Sequence, residues 1–307
     1  PITVDLDAAL SGDRIDVTRL SARSEGNRID ASGAVTSLAR LEGSFKAIGE
    51  LTFAGYTARN FNATITVAPA GISLSRMTFG MFDGKFDGGL SVDLRHEVPQ
   101  VQLRGSVARL DVAEVVKDTG STGGITGRLV GALSMTSQGT DGSSLMRAAR
   151  GNFQATIVDG TLPYLDFVRP VVLAFGKPSG SAPSGSGSSF SSLKGSFNLA
   201  KETLATENLT LEARDFTASG PVTLNLASGA LQSRVDLVLS PELSAQAGTD
   251  LRRYAGQNGR VFLPATVGGT LTHPKVFVDT TAALRRAAEN ELKRKADSLL
   301  KGLIKKR

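Results

Sequence analysis

The sequence predicts a mainly β protein, a long antiparallel sheet with a few short helices. Apolar and polar residues alternate in many short segments, which places the apolar side chains of each predicted strand on one face. Asp-Gly, Asn-Gly and Gly-Gly pairs lie between these segments and supply the positive φ angles of tight turns. Helical periodicity is sparse before residue 280. Together these features indicate a meander of hairpins.

The predicted strands recur along the whole body of the chain. The clearest alternating segments are Ala63–Pro69, Gly88–Leu94, Pro99–Val107, Gly151–Gly160, Asn208–Arg214, Gly220–Leu226 and Gln232–Ser240. Three stretches, 15–38, 72–94 and 204–226, resemble copies of one unit with three strands, and a glycine precedes the last strand of each. The sheet is therefore expected to grow by adding similar units, and 1–279 is predicted to be one β domain.

Short helices are predicted at four places, 110–118, 141–150, 163–175 and 240–256, the third with a kink at Pro170. A Ser/Gly/Pro-rich stretch at about 176–192 is predicted to be a flexible loop, because it lacks the apolar side chains that could offset its ordering entropy.

The excess positive charge lies at the C-terminal end of the sequence. Lys and Arg total 35 and Asp and Glu total 29; nine and three of these lie in 280–307, which leaves 26 of each in the body. The range 280–307 also has apolar residues at steps of three and four and is predicted to be a basic amphipathic helix. A neutral body with a basic tail disfavours a nucleic-acid partner and favours contact with an anionic surface.

Reactive groups are scarce. The chain has no cysteine, which excludes disulfides, thiolate catalysis and zinc–thiolate sites. His96 and His273 lie near prolines and are interpreted as turn residues, although a histidine pair could form half of a metal site. The segment 83–89 resembles a calcium loop but has Lys85 at a ligand position, and a hairpin turn is the better interpretation. We expect a protein that is not an enzyme and has no metal or cofactor.

Many apolar strand faces and few helices raise the question of what covers those faces. Two sheets could pack as a sandwich, one sheet could close into a barrel, or an open trough could present its apolar face to a non-protein partner. Alternation alone favours the sandwich or the barrel over the trough.

Several motifs in consistent order resemble the C-terminal region of AsmA-like proteins. They are GMFDGKFDGGLSVDL from 80, GALSMTSQGTDGSSLMRAARGNFQATIVDGTLPYLDF from 131, LKGSFNLAKETLATENLTLEARDFTASGPVTLNL from 193, and LPATVGGTLTHPKVFVD from 263. The most specific stretch is the second, in which a short helix precedes a strand that ends in Asp-Gly. The resemblance spans about 38–279.

The resemblance implies a curved antiparallel sheet that forms an open hydrophobic groove, which makes the trough the preferred architecture. It implies a bridge-type phospholipid transport protein of the Gram-negative periplasm, anchored in the inner membrane and contributing to outer-membrane biogenesis, with phospholipid or another acyl lipid as partner. The chain begins at Pro1, and we interpret it as a piece of a longer protein whose anchor lies elsewhere.

The candidate groove residues are the apolar positions that are in phase within their strands, and the alternative is that they pack in a closed core. They are Ile72, Leu74, Phe153, Ile157, Leu209, Leu211, Val222, Leu224, Val235, Leu237, Leu239 and Val267.

Three roles are open for the tail: contact with an anionic membrane, a plug at the end of the groove, or a solvated helix. The candidate membrane contacts are Arg285, Arg286, Lys293, Arg294, Lys295, Lys301, Lys305, Lys306 and Arg307. The rival function is a non-enzymatic envelope scaffold or assembly factor with a closed sandwich or barrel core that binds envelope proteins.

Overall fold

A computed structural model describes residues 2–53, 56–118, 124–163, 188–246, 260–270 and 273–279, and seven positions beyond these, 281, 285, 288, 289, 292, 295 and 296. The described strands are β1 Thr3–Ser11, β2 Arg14–Ser24, β3 Asn27–Ser37, β4 Glu42–Phe53, β5 Tyr56–Ala68, β6 Gly71–Met81, β7 Gly84–Asp93, β8 Gln100–Asp111, β9 Arg128–Gln138, β10 Arg150–Leu162, β11 Ser188–Ala200, β12 Thr203–Glu212, β13 Phe216–Asn225, β14 Leu231–Leu239, β15 Phe262–Gly269 and β16 Pro274–Val278.

These strands form one antiparallel sheet of 16 strands whose hydrogen-bonded order follows the chain from β1 to β16. The prediction of a mainly β protein with a long antiparallel sheet is confirmed. The linear order makes the sheet open, in contrast to the sandwich and the closed barrel that alternation alone favoured.

Three short helices are described, α1 Val112–Asp118, α2 Gly142–Ala148 and α3 Pro241–Gln246. They fall inside three of the predicted helical segments. The remaining predicted segment is 163–175, and all of it except Pro163 lies outside the described residues. So do the last part of the segment 240–256, from 247 on, and the first part of the predicted loop, 176–187. Strand β11 begins at Ser188, so the last part of the predicted loop, 188–192, belongs to a strand.

The three repeated stretches fold as the hairpins β2–β3, β6–β7 and β12–β13, with two strands each instead of the predicted three. Their glycines lie within the second strand, where another backbone approaches closely. A Cβ at Gly33 would lie 2.1 Å from the carbonyl oxygen of Ser44, and a Cβ at Gly220 would lie 2.1 Å from that of Arg234. A side chain at either position would push the neighbouring strand away.

The predicted β domain of 1–279 divides by its internal contacts into two compact units. Unit 1 comprises 1–115, 128–156 and 196–204, and unit 2 comprises 116–127, 157–195 and 205–307. Each unit has its own cluster of buried apolar side chains.

In the last hairpin of unit 2, β15–β16, the alternation of apolar and polar residues corresponds to alternating burial along β15. Leu263, Ala265 and Val267 are buried, as expected for one apolar strand face. Gly269 adopts a φ of 92°, and a Cβ there would lie 2.5 Å from the carbonyl oxygen of His273. The exposed His273 hydrogen-bonds through its backbone to Thr270, which confirms its interpretation as a turn residue.

Candidate functional site

Unit 1 carries a continuous apolar surface across β3–β9, which we call the apolar face. Strand register brings its residues into rows, so that Ala31, Ala47 and Ala63 are neighbours, as are Leu74, Leu90 and Leu103 on β6–β8. The apolar face consists of Ile29, Ala31, Ala47, Leu51, Phe61, Ala63, Ile65, Leu74, Met77, Phe79, Phe86, Leu90, Leu103, Val107 and Leu133.

Small residues occupy the middle of the apolar face, and large side chains pack against them. Ala47 and Ala63 have no exposed surface. The ring of Phe86 stacks on that of Phe79 with 4.8 Å between the ring centroids. A Cβ at Gly105 would lie 2.4 Å from the Phe86 ring, so this glycine makes room for the ring. The centre of the face is thus packed by its own aromatic side chains.

The larger residues around this centre are only half-buried. Ile65, Leu74, Leu90, Leu103 and Leu133 all keep part of their surface accessible. Every residue of the apolar face belongs to a strand. Helix α2 packs against β9 but has no buried residue. Among the described residues, the apolar side chains that pack together here therefore all come from strands, and the larger ones keep part of their surface accessible.

The opposite side of the same strands carries charged side chains. Arg28 donates a hydrogen bond of 2.9 Å to Asp30, which also accepts one of 2.7 Å from the hydroxyl of Ser21. The Ser21 hydrogen bond, followed by that of Arg28, lowers the pKa of Asp30. Lys46 and Glu50 of β4 are exposed on this side. Since the apolar face contains no charged residue, the sheet of unit 1 is amphipathic.

Unit 2 buries its apolar side chains more completely. The core contains Phe190, Leu211, Phe216, Ala218, Val235, Leu237, Leu239, Val261, Leu263, Ala265 and Val267. Helix α3 contributes Leu243 to its edge, and the hydroxyl of Ser244 accepts a hydrogen bond of 3.0 Å from the amide of Val261. Leu237, Leu263 and Val261 have no exposed surface, as in the core of an ordinary globular domain.

The candidate groove residues fall into both units. Five of them, Leu211, Val235, Leu237, Leu239 and Val267, belong to the buried core of unit 2, and Ile157 packs against it. Leu209, Val222 and Leu224 are half-buried in the same unit. The burial of the five core residues favours a packing role for them in this structure.

The other three candidates lie in unit 1. Leu74 belongs to the apolar face, and Ile72 is half-buried on β6 two residues before it. Phe153 is half-buried on β10. Gly131 of β9 lies against the backbone of Ala155 of β10, and Gly151 of β10 lies against Met135 of β9. In an antiparallel pair these two contacts place Phe153 opposite Leu133, which belongs to the apolar face.

Sequence reasoning missed most of the apolar face, including Phe61, Met77, Phe79 and Phe86. Register shifts between Leu74 and Met77 and between Val107 and Leu110 interrupt the alternation, so a search for unbroken period-two segments loses the phase there. One usable signal was present: Phe79 and Phe86 lie at equal distances from the turn before Gly84 and are paired in the hairpin.

The tail is described only in part. Arg285 and Lys295 are described and exposed, and Arg286, Lys293, Arg294, Lys301, Lys305, Lys306 and Arg307 lie outside the described residues. The predicted C-terminal helix and its membrane role stay predictions.

Within the described ranges, no cluster of three or more His, Asp or Glu side chains is placed to hold a metal ion. In the same part of the chain, no helix combines the length and the apolar character needed to cross a bilayer.

Comparison with known proteins gives one match. Residues 41–210, more than half of the chain, match the sequence model of the AsmA family. This range contains β4–β11 and most of the apolar face. No curated protein and no solved structure matches the chain.

Proposed function

Because the chain belongs to the AsmA family, a family of the bacterial cell envelope, we propose that it binds the acyl chains of phospholipids on the apolar face of unit 1. Lipid headgroups remain in water in this proposal, and the apolar face serves as one segment of a groove along which lipid crosses the periplasm to the outer membrane. The observation that carries the proposal is the half-buried, uncharged surface formed by strands β3–β9.

The dimensions of the apolar face suit an acyl chain. Strands β3 and β9 are six positions apart in the sheet order, which corresponds to about 29 Å at the usual spacing of ~4.8 Å between strands. One leaflet of a bilayer has a hydrocarbon thickness of about 15 Å, half of the whole core. The apolar face is therefore wide enough for a whole acyl chain.

Hydrophobic burial supplies the binding energy without specific contacts. Each methylene group removed from water contributes about 0.8 kcal/mol, and burying eight of them on the half-exposed leucines would contribute roughly 6 kcal/mol. A surface of this kind holds different lipids with similar strength, because it has no polar group that selects one headgroup. Weak selectivity and easy sliding suit transport better than storage.

The test compares two substitutions on β7 that place the same charge on opposite sides of the sheet. Leu90→Asp introduces a carboxylate into the apolar face, whereas Ser91→Asp introduces one on the exposed side. Because desolvating a carboxylate is costly, we expect Leu90→Asp to weaken the uptake of a fluorescent phospholipid at least about tenfold and Ser91→Asp to leave it unchanged.

Native mass spectrometry of the purified full chain gives the second readout. Copurified phospholipid in the wild-type protein and in Ser91→Asp, with less in Leu90→Asp, supports the proposal. Circular dichroism of both variants establishes that they are folded. Equal uptake by the two variants would contradict a role for the apolar face.

A non-enzymatic envelope scaffold that binds protein partners is the second candidate function. The closed core of unit 2 favours it, since a fully buried core offers no surface to a lipid. A clean protein mass together with no uptake of fluorescent lipid would favour the scaffold over the lipid carrier.

A further inference from the structure

Strands β3–β8 of unit 1 carry more basic than acidic residues on the side opposite the apolar face, which we call the polar face. The basic residues that strand register places on the polar face are Arg28, Lys46, Arg59, Lys85 and Arg104. Apart from strand ends, the acidic residues on it are Asp30, Glu50 and Asp87. The acidic residues at strand ends each form an ion pair with an arginine, and they are Glu42, Asp93 and Asp111. The polar face therefore has an excess of positive charge, which the neutral total of the body conceals.

Several of these positive charges are not neutralised by a neighbour. The carboxylates of Asp30 and Glu50 are paired with the adjacent arginines of the polar face. Among the described residues, no ion pair involves Lys46, Lys85 or Arg104, and all three are exposed. These three residues are therefore available to a negatively charged partner.

Two of the three lie in one row across the sheet. Lys46 on β4 pairs with Thr64 on β5, and Thr64 pairs with Ser75 on β6. On β7, Gly89 lies against Ser75 and pairs with Arg104 of β8. Lys46 and Arg104 are thus four strands apart, which corresponds to about 19 Å at the usual strand spacing. The row, with hydroxyl groups between its two charges, suits an extended partner that carries both negative charges and hydroxyl groups.

An open depression of about 380 Å³ lies on the same polar face. Its lining includes two ion pairs, Arg28 with Asp30 and Arg59 with Glu50. Ile48, which is 55% exposed, supplies an aliphatic part of the lining. Asn60 adds an amide from the bulge opposite Glu50, where it adopts a φ of 53°. The volume is typical of small-molecule sites, and these groups can bind the hydroxyl groups and the C–H surface of a sugar ring.

Other large anionic partners need side chains that are placed elsewhere in unit 1. Single-stranded nucleic acids stack their bases on aromatic rings, but Phe61, Phe79 and Phe86 belong to the apolar face. Amphipathic surfaces that bind a bilayer insert apolar side chains, and stable protein interfaces bury an apolar centre. Among the described side chains of β3–β8, only Ile48 is large, apolar and on the polar face. The polar face therefore favours a hydrated polymer as its partner.

We propose that the polar face of unit 1 binds a linear acidic polysaccharide. The carboxylates of the polymer lie against Lys46, Lys85 and Arg104, and one sugar unit occupies the depression beside Ile48. Because the apolar face is on the other side of the same strands, this site goes beyond lipid binding and leaves it unobstructed.

Fluorescence anisotropy of labelled polygalacturonate, which has a carboxylate on every sugar unit, tests the proposal with the full chain. We expect binding that weakens as the salt concentration rises and that is at least about tenfold weaker for the methyl ester of the polymer, which has no charge. Polyglutamate of matched length has the charges without the sugar. We expect it to bind roughly threefold more weakly, because it cannot form the hydrogen bonds in the depression.

Variants have to separate the polar face from the tail, since the basic range 280–307 also attracts polyanions. Lys46→Gln combined with Arg104→Gln removes two charges from the row and should weaken polygalacturonate binding roughly 3- to 10-fold. Arg40→Gln combined with Arg147→Gln is the matched control. It removes the same charge from exposed residues of the β3–β4 turn and of α2, and it should leave binding unchanged.

Chemical acetylation of lysines, read by mass spectrometry, locates the bound polymer. Polygalacturonate should protect Lys46 and Lys85. It should not protect Lys201, which is exposed in the turn between β11 and β12.

Three results would overturn the proposal. The first is binding of polygalacturonate no tighter than that of its methyl ester or of polyglutamate, and the second is equal binding by the two double variants. The third is protection of Lys46 and Lys85 by phosphatidylglycerol vesicles or by polyglutamate but not by polygalacturonate, since a membrane or an acidic protein segment would then be the occupant.

Discussion

Leu237→Ala probes the difference between the closed core of unit 2 and the open face of unit 1. Leu237 has no exposed surface and lies between Ala218 on β13 and Leu263 on β15. Removing its side chain loses the transfer energy of three carbon atoms and leaves a cavity, which costs about 2 to 5 kcal/mol. The half-buried Leu74 of the apolar face pairs with Ile65 and Leu90, and Leu74→Ala should cost about 1 to 2 kcal/mol in lipid-free protein.

Urea unfolding of the delipidated full chain, monitored by hydrogen-exchange mass spectrometry, measures the loss of stability in both variants. Peptides from β14 and β6 report the two units separately. We expect Leu237→Ala to lower the midpoint of the β14 transition more than Leu74→Ala lowers that of β6. Bound lipid should enlarge the effect of Leu74→Ala only. Equal costs in lipid-free protein would refute the distinction between a closed core and an open face.

Two further predictions rest on single contacts, and a third rests on the charge of the tail. Gly105→Ala should destabilise the protein by about 1 to 3 kcal/mol, because the added methyl group meets an aromatic ring. Gly268→Ala is the control and should leave the stability unchanged, because a Cβ there has nothing within 4 Å. The urea midpoint measures both effects. The hydrogen bond from Ser37 lowers the pKa of Asp13, so the ionised Asp13 stabilises the folded state above about pH 4, and this stabilisation is lost as the pH falls below that value. Between about pH 5 and pH 3, the Tm of Asp13→Asn should therefore fall less than that of the wild type. An equal fall in both proteins would contradict this. Deleting 280–307 should weaken binding to anionic liposomes at low salt only, and unchanged binding would exclude membrane contact by the tail.

The sequence predicts the strands well, because period-two alternation and glycine-containing turns are local signals. The closing hairpin is an example: Leu263, Ala265 and Val267 are apolar in phase, and their burial follows directly from the alternation. The two histidines also lie where their neighbouring prolines suggest, in exposed bends and turns.

The partition of the apolar residues into an open face and a closed core could not be predicted in the same way. Leu74 and Leu237 both lie in segments whose apolar and polar residues alternate, yet the first is half-buried and the second is fully buried. The difference depends on which strands and helices pack together in each unit, which is a property of long-range contacts. The bulge after Leu74 adds a second difficulty, since it moves Met77 and Phe79 into a phase that a local search does not follow.

Photo-crosslinking can locate a bound acyl chain on the protein. A phospholipid with a diazirine in its acyl chain is bound to the protein and irradiated, and the modified peptides are identified by mass spectrometry. If acyl chains bind on the apolar face, we expect modification of the strands that carry Leu74, Leu90 and Leu103 and little modification around Leu237. Crosslinks confined to the core strands of unit 2, or none at all in a protein that has taken up lipid, would contradict it.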